Sequence, residues 1–322
     1  MTLITRRLAT MGLAALAATP ASAQRLSEQP ITVVVPFSPG SGPDLLARLA
    51  SDELRVHHGQ TLVVDNRAGA SGNIGAAAAS RAAPDGQTLV LYVNTFLMNA
   101  ALSRTLSYDP VKGFEPIIEL ARGSLALAVH RSVEVADAQA LVAASKARPD
   151  DIRYASPGRG TPHHMAMELF KLQTGAKLGH IPYTGTAGAV NDLIAGHVQC
   201  MFIPIHVGLS HAQAGRIRLL AVGSDKRSAL APNVPTLVEQ GIEGVSVDLW
   251  YGLAAPAGTP ASTITRYNAT FNAILAEPRV KDLLEKQGLV PVGGTPAALA
   301  AVIAADLPRW TAVVRNAGIT AE

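Results

Sequence analysis

The sequence predicts an α/β protein of two domains, each a mostly parallel sheet flanked by helices, and three observations carry that expectation. From residue 31 onward, short β-branched runs alternate with Ala- and Leu-rich stretches of helical period, the βαβ rhythm of parallel sheets. Once a removable leader is set aside, roughly 300 residues remain, which suits two ordinary cores better than one. Several strand-to-helix junctions also carry clusters of Gly, Ser and Thr, and they fall at the strand ends where open α/β sheets bind ligands.

The composition agrees. With 322 residues, 48% apolar, 16% charged and 4% aromatic, the chain is globular and disorder is excluded as its main state. One cysteine excludes a disulfide framework and a thiolate zinc cluster. The formal charge of +3 includes Arg6 and Arg7 of the leader, so the remainder is near neutral and offers no basic face to a nucleic acid.

The leader consists of Arg6 and Arg7, an apolar run over 8–18 too short to span a bilayer, and a small-residue cleavage site at Ala21-Ser22-Ala23. The mature chain is expected to begin at Gln24. Thr5-Arg6-Arg7 also resembles a twin-arginine export signal. No cysteine follows the cleavage site and no later stretch is read as a membrane span, so a soluble protein outside the cytoplasm is expected.

In chain order, 31–37, 60–66 and 88–93 read as strands and 43–56 and 73–81 as helices. A second series follows, with strands at 126–130, 152–156, 178–184, 198–205 and 217–223 and helices at 136–147, 163–174 and 187–195. Cys200 then sits inside a strand as a small buried apolar residue. Beyond 223, a strand at 245–255, a helix at 260–275 and a final helix with Leu299, Ile303, Leu307, Trp310 and Val314 on one stripe need a sheet to cover. These are expected to complete the first domain. Residues 24–121 plus 225–322 form one domain and 122–224 the other, with crossings near Ala121 and Ser224. Pro308 is expected to kink the last helix.

Four junctions hold the candidate chemistry: Pro36 to Asp44, Gly69 to Asn73, Ser156 to Pro162 and Thr184 to Gly188. Each presents backbone N–H groups and hydroxyls at the positive end of a helix, which suits a carboxylate or phosphate without any lysine. One such loop is explained by turning and capping alone; four, two per domain, indicate a small anion held between the domains. Gly40-Ser41-Gly42 lacks the third glycine of a dinucleotide fingerprint and no loop continues into a Walker lysine, so no cofactor is expected. There is no Gly-x-Ser-x-Gly elbow, and Ser156 has no base by spacing. Six of the nine histidines fall between 163 and 211. Their spacing suits no metal, and they read as exposed or capping residues, with His164 kept near the ligand. Arg159, between two glycines, is either an anion partner or simply solvated. Asp44 and Asp192 read as helix caps or, alternatively, as partners for a ligand amino group.

Pro36-Phe37-Ser38-Pro39-Gly40 with Asp44 and Arg48, Val63 to Gly69, Pro84-Asp85-Gly86, Tyr108-Asp109-Pro110, Gly160 to His163, Ile181-Pro182-Tyr183, Val234-Pro235-Thr236 and Trp250 to Pro260 resemble, in this order, the Bug family. These are the periplasmic solute receptors of tripartite tricarboxylate transporters. The resemblance implies the two-domain flytrap of periplasmic binding proteins, a non-enzymatic monomer that closes on a small organic carboxylate and presents it to the membrane subunits of a transporter. It places ligand contacts at Phe37, Ser38, Gly40 and Ser41, at Ser71, Thr95 and Phe96, at Ser156, Gly158, Arg159, Thr161 and His164, and at Gly185 and Thr186. Ser156, Thr161 and loop N–H groups would take the carboxylate charge, and Phe37 and Phe96 would form an apolar wall. The chain departs from the family pattern at Ser41, Pro43 and Gln199, and Arg159 adds a cation that would suit a second negative group. The alternative is a secreted hydrolase or isomerase with a histidine base near His164. A third reading hands the ligand state to a sensor instead of a transporter.

Overall fold

The alternation read from the sequence is present along the chain of this computed structural model, which describes residues 26–103, 105–149 and 151–320. The leader and its cleavage site lie outside the described residues. The elements run β1 (Ile31–Val35), α1 (Gly42–His58), β2 (Leu62–Asn66), α2 (Asn73–Ser80), β3 (Thr88–Val93), α3 (Thr95–Leu102), β4 (Phe114–His130), α4 (Ala138–Ala147), β5 (Arg153–Ser156), α5 (Pro162–Thr174), β6 (Gly179–Pro182), α6 (Thr186–Ala195), β7 (Cys200–Pro204), α7 (Ile205–Gln213), β8 (Ile217–Val222), β9 (Asp248–Pro256), α8 (Ala261–Ala276), α9 (Pro278–Lys286), β10 (Leu289–Gly293) and α10 (Pro296–Ala317).

Both ends of the sheet are parallel, as the rhythm predicted: β1 pairs with β2 and β3, and β5 pairs with β6 and β7. β1 is covered on both faces, with Ile31, Val33, Val34 and Val35 buried, the near-continuous apolar run of a parallel strand. The middle is antiparallel, which makes the sheet mixed where a mostly parallel one was expected. The cause is β4, whose first part, to Ser124, pairs with β9 and β10, while its last part, from Leu125, pairs with β7 and β8. The chain leaves the first group of strands on β4 and returns to it on β9, and two neighbouring strands that carry opposite crossings must run antiparallel.

Crossings between domains were expected near Ala121 and Ser224. β4 changes partners between Ser124 and Leu125, and the chain rejoins the first group at Asp248. The segment between stays with β8: Leu237 N–H donates to Val222 O, and Gln240 donates to Leu220 O and accepts from Ala138 N–H at the start of α4.

The largest core cluster surrounds Tyr92. Its ring lies 4.8 Å from Phe96, 5.5 Å from Phe114 and 5.7 Å from Trp250, the last stacked. Cys200 is buried in β7 as expected, where burial pushes its thiol up to about 12. α10 is, by length and composition, long and apolar enough to cross a bilayer, against the expectation that no later stretch is. In the fold, Leu299, Ile303 and Trp310 on one stripe are buried, as the sequence predicted for a helix lying on a sheet, and Trp250 Nε1 donates to Asp306 of the same helix at 2.6 Å.

Candidate functional site

Five helices begin at one cavity of about 100 Å³. Gly42 and Pro43 open α1, Thr95 opens α3, Thr161 and Pro162 open α5, Thr186 opens α6, and His206 and Val207 lie in the first turn of α7; all line the cavity. The first N–H groups of each helix have no intrahelical acceptor, and the five dipoles add partial positive charge at one place. Among the described residues that line it, none is Asp, Glu, Lys or Arg. Phe37, Leu45, Val93, Leu249 and Leu289 make much of the remaining wall apolar. The arrangement suits an anion with a carbon body, held by backbone dipoles.

The first loop is fixed by a buried carboxylate. Asp44, 2% exposed, accepts from Gly40 N–H at 2.8 Å, Arg48 Nε at 3.0 Å and Asn66 Nδ2 at 2.9 Å, and Asn66 Nδ2 also donates to Phe37 O. Burial alone would raise this carboxyl, but the bonds from Arg48, Gly40 and Asn66 outweigh it and hold it below its ordinary value. Asp44 therefore ties the loop to its helix from inside the first turn, while the capping position belongs to Ser41. Asp192 lies inside α6 and accepts from Tyr183 and His197; it is neither a cap nor part of the cavity wall.

The second loop carries positive φ at Ala70 and Ser71, conformations that non-glycine residues hold only when their surroundings fix them. Asn99 does so, donating to Ser71 O and Asn73 Oδ1, both at 2.9 Å. The second and third loops meet across the cleft. A Cβ at Gly158 would lie 2.7 Å from Ser71 Oγ, and one at Gly160 would collide with Asn99 Oδ1. Both glycines also hold positive φ, so neither position admits a side chain. The fourth loop faces the first, with Gly185 opposite Ser38 Oγ.

The third loop is fixed by uncharged rings. His164 Nδ1 accepts from Gly160 N–H at 3.2 Å, and its ring stacks on His180 at 4.4 Å, which stacks on Tyr154 at 4.6 Å. His180 Nε2 lies 2.7 Å from Ser156 Oγ, and Tyr154 donates to Glu168, which also takes Lys171. Burial, then the charges of Arg159 and Lys171, push His164 down to about 4; burial, then His164 and Arg159, push His180 down to about 3. Both rings are neutral at pH 7.

Six of the expected contacts line the cavity: Phe37, Gly40, Ser41, Thr95, Thr161 and Thr186. Ser38, Ser71, Gly158 and Gly185 sit where the loops meet, outside that wall. Phe96 is corrected: it is fully buried beside Tyr92, because the aromatic core claims the second residue of α3. Ser156 is fully buried and outside the wall, its hydroxyl shared between His180 and Gly158. Thr161 keeps its place, but its hydroxyl donates to Gly158 O at 2.7 Å, so that proton already serves the loop. Arg159 is exposed and outside the wall. His164 stands behind the loop, and its neighbour His163 lines the cavity instead. Both are buried, so the reading of exposed or capping histidines fails for them; the first turn of α5 packs against the loop and carries both rings inward. Gln199 accepts from Arg153 N–H at 2.9 Å and acts within its own sheet. Ser156 lies beside His180, and neither residue lines the cavity. Among the described residues, no three His, Cys, Asp or Glu side chains form a metal cluster.

Sequence reasoning missed His163, and it missed the wall contributed by β4, β9 and their neighbours: Ser124, His206, Tyr251 and Gln287. The start of α7 follows a strand as the other four junctions do, yet Pro204-Ile205-His206 contains no glycine, serine or threonine, and a search for small-residue loops passes over it.

The model of the tripartite tricarboxylate transporter family receptor matches residues 46–319. Protein BugT of Bordetella pertussis is 35% identical over 313 residues, covering 97% of this chain and 95% of BugT. Among solved structures, the R. palustris protein Rpa4515 with adipate is 34% identical with a TM-score of 0.86, covering 90% of this chain and 98% of that one. The periplasmic binding protein BugD is 30% identical with a TM-score of 0.85, covering 91% and 99%.

Proposed function

This chain belongs to the tripartite tricarboxylate transporter receptor family, and we propose that it is an extracytoplasmic receptor that closes on a small organic carboxylate in the cleft and delivers it to the membrane subunits of a transporter. The observation that carries the reading is the meeting of five helix N-termini at a cavity whose described wall holds no Asp, Glu, Lys or Arg. A carboxylate there receives N–H donors from both sides of the cleft, from α1 and α3 on one and α5, α6 and α7 on the other. Neither side alone supplies the full set, so ligand favours the closed state. The adipate held by Rpa4515 is a carboxylate of the expected kind.

We assign the contacts to Gly40, Ser41, Thr95 and Thr186 with the α5 backbone from Thr161 onward, and the apolar contact to Phe37; Ser38, Ser71, Gly158 and Gly185 act as the closure surface. We place the hinge at Ser124–Leu125 and at Asp248, so that 125–247 moves as one body against the rest; the change of partners along β4 and the bonds of Gln240 support that division. The protein works as a monomer in the periplasm after loss of its leader, and no step requires turnover.

Thermal unfolding of the purified protein against mono-, di- and tricarboxylates, aromatic acids and acidic amino acids tests this. At a ligand concentration about a hundred times Kd, binding adds roughly 2.7 kcal/mol, enough to raise the midpoint by a few degrees. A shift confined to one acid class, with the compound recovered unchanged, is expected. A compound that is consumed would establish an enzyme in place of a receptor.

A further inference from the structure

A histidine of the cavity wall is buried and unsatisfied. His163 is 8% exposed, lines the wall, and neither of its ring nitrogens has a hydrogen-bond partner among the described residues. Burial pushes it down to about 3, so the imidazole is neutral and offers one N–H donor and one bare nitrogen acceptor. Ser41 Oγ, on the same wall at the start of α1, is a second buried atom without a partner. Native proteins rarely leave such groups unpaired unless something else fills the site.

The missing partner has a definite chemistry. A carboxylate can only accept: it would satisfy the N–H of His163 and leave the bare nitrogen unpaired. A hydroxyl both donates and accepts, so a ligand O–H can donate to that nitrogen. We propose that His163 is a specificity-determining residue that selects, among carboxylates, those carrying a hydroxyl on the carbon body, with Ser41 of the same cavity wall as a second polar contact. This rests on the carboxylate reading above and narrows it. A site built to bond a ligand hydroxyl discriminates strongly against the analogue without it, because the protein group is then left unpaired.

The test is calorimetry on the purified protein with matched pairs: butyrate and 3-hydroxybutyrate, succinate and malate, benzoate and 3-hydroxybenzoate. The hydroxylated member of at least one pair is expected to bind roughly tenfold tighter or better. His163→Leu should remove that preference, bringing the two members of the pair to within about twofold of each other, and His163→Gln, which again offers a donor and an acceptor, should restore it. Nitrogen NMR of the unaltered protein gives the answer without a variant: the bare nitrogen of His163 shifts with the hydroxylated acid and not with its parent. Binding without preference in any pair, a preference that survives His163→Leu, or an unmoved His163 resonance overturns this inference alone. If no carboxylate of the wider panel binds, the receptor reading falls and this inference with it.

Discussion

The starts of α1 and α5 are built alike and held differently. Ser41 and Thr161 occupy the capping positions with nearly the same extended backbone, φ −75° and −77°, neither side chain caps its helix, and a proline follows in the first two helical positions. Both line the cavity. Behind α1, however, a buried carboxylate with a guanidinium holds the loop; behind α5, stacked neutral imidazoles do the same work. The comparison teaches that one anion site can be assembled from two supports of opposite electrostatic character, and that acid should loosen them in sequence.

Asp44→Ala should have the largest effect. It removes acceptors for Gly40, Arg48 and Asn66 at once and should cost about 3 kcal/mol in denaturant unfolding, together with the ligand response. A loss below 1 kcal/mol would mean that the loop holds itself.

The order of release sharpens the contrast. His164 is displaced from 6.5 to about 4, so between those values the unfolded chain binds more protons than the fold. Stability is therefore full above pH 6.5 and falls as pH drops toward 4, by roughly 3 kcal/mol through this ring. Asp44 is displaced downward from 3.8, so its contribution persists above that value and is lost only as pH falls below it. Unfolding followed across pH 7 to 3 should show the imidazole phase first, and His164→Gln should reduce it. A profile flat down to pH 4 would contradict the buried neutral rings.

Thr161→Val removes the bond to Gly158 O and should cost about 1 kcal/mol of stability, read by urea unfolding. Ser41→Ala should cost almost none. Removing a working cap costs about 1 kcal/mol, but Ser41 makes no capping bond; its loss should appear in ligand affinity instead. A full capping penalty at Ser41 would erase the distinction between a ligand-facing hydroxyl and a structural one.

Much of this fold was legible in the sequence because runs of β-branched and apolar residues such as 31–35 and 88–93 are short and continuous. Of β4 only the end, 126–130, was legible, since Pro116, Arg122, Gly123 and Ser124 interrupt any period before it and only its partners on both sides make it one strand. The four loops were legible through their glycines and hydroxyls. The choice between His163 and His164 was not, because helical phase decides which of two adjacent residues meets the cavity. The link from Ser156 to His180 spans 24 residues and leaves no local pattern. Phe96 misled because a large aromatic beside a binding loop serves a wall and a core equally well until the packing is known.

The most direct measurement is a crystal structure with the tightest carboxylate of the panel. The carboxylate oxygens should lie within hydrogen-bond distance of backbone N–H groups at the starts of α1, α5 and α6, without a charged side chain in contact. A carboxylate paired with Arg159, or bound outside the cavity, would contradict an anion site made of helix ends.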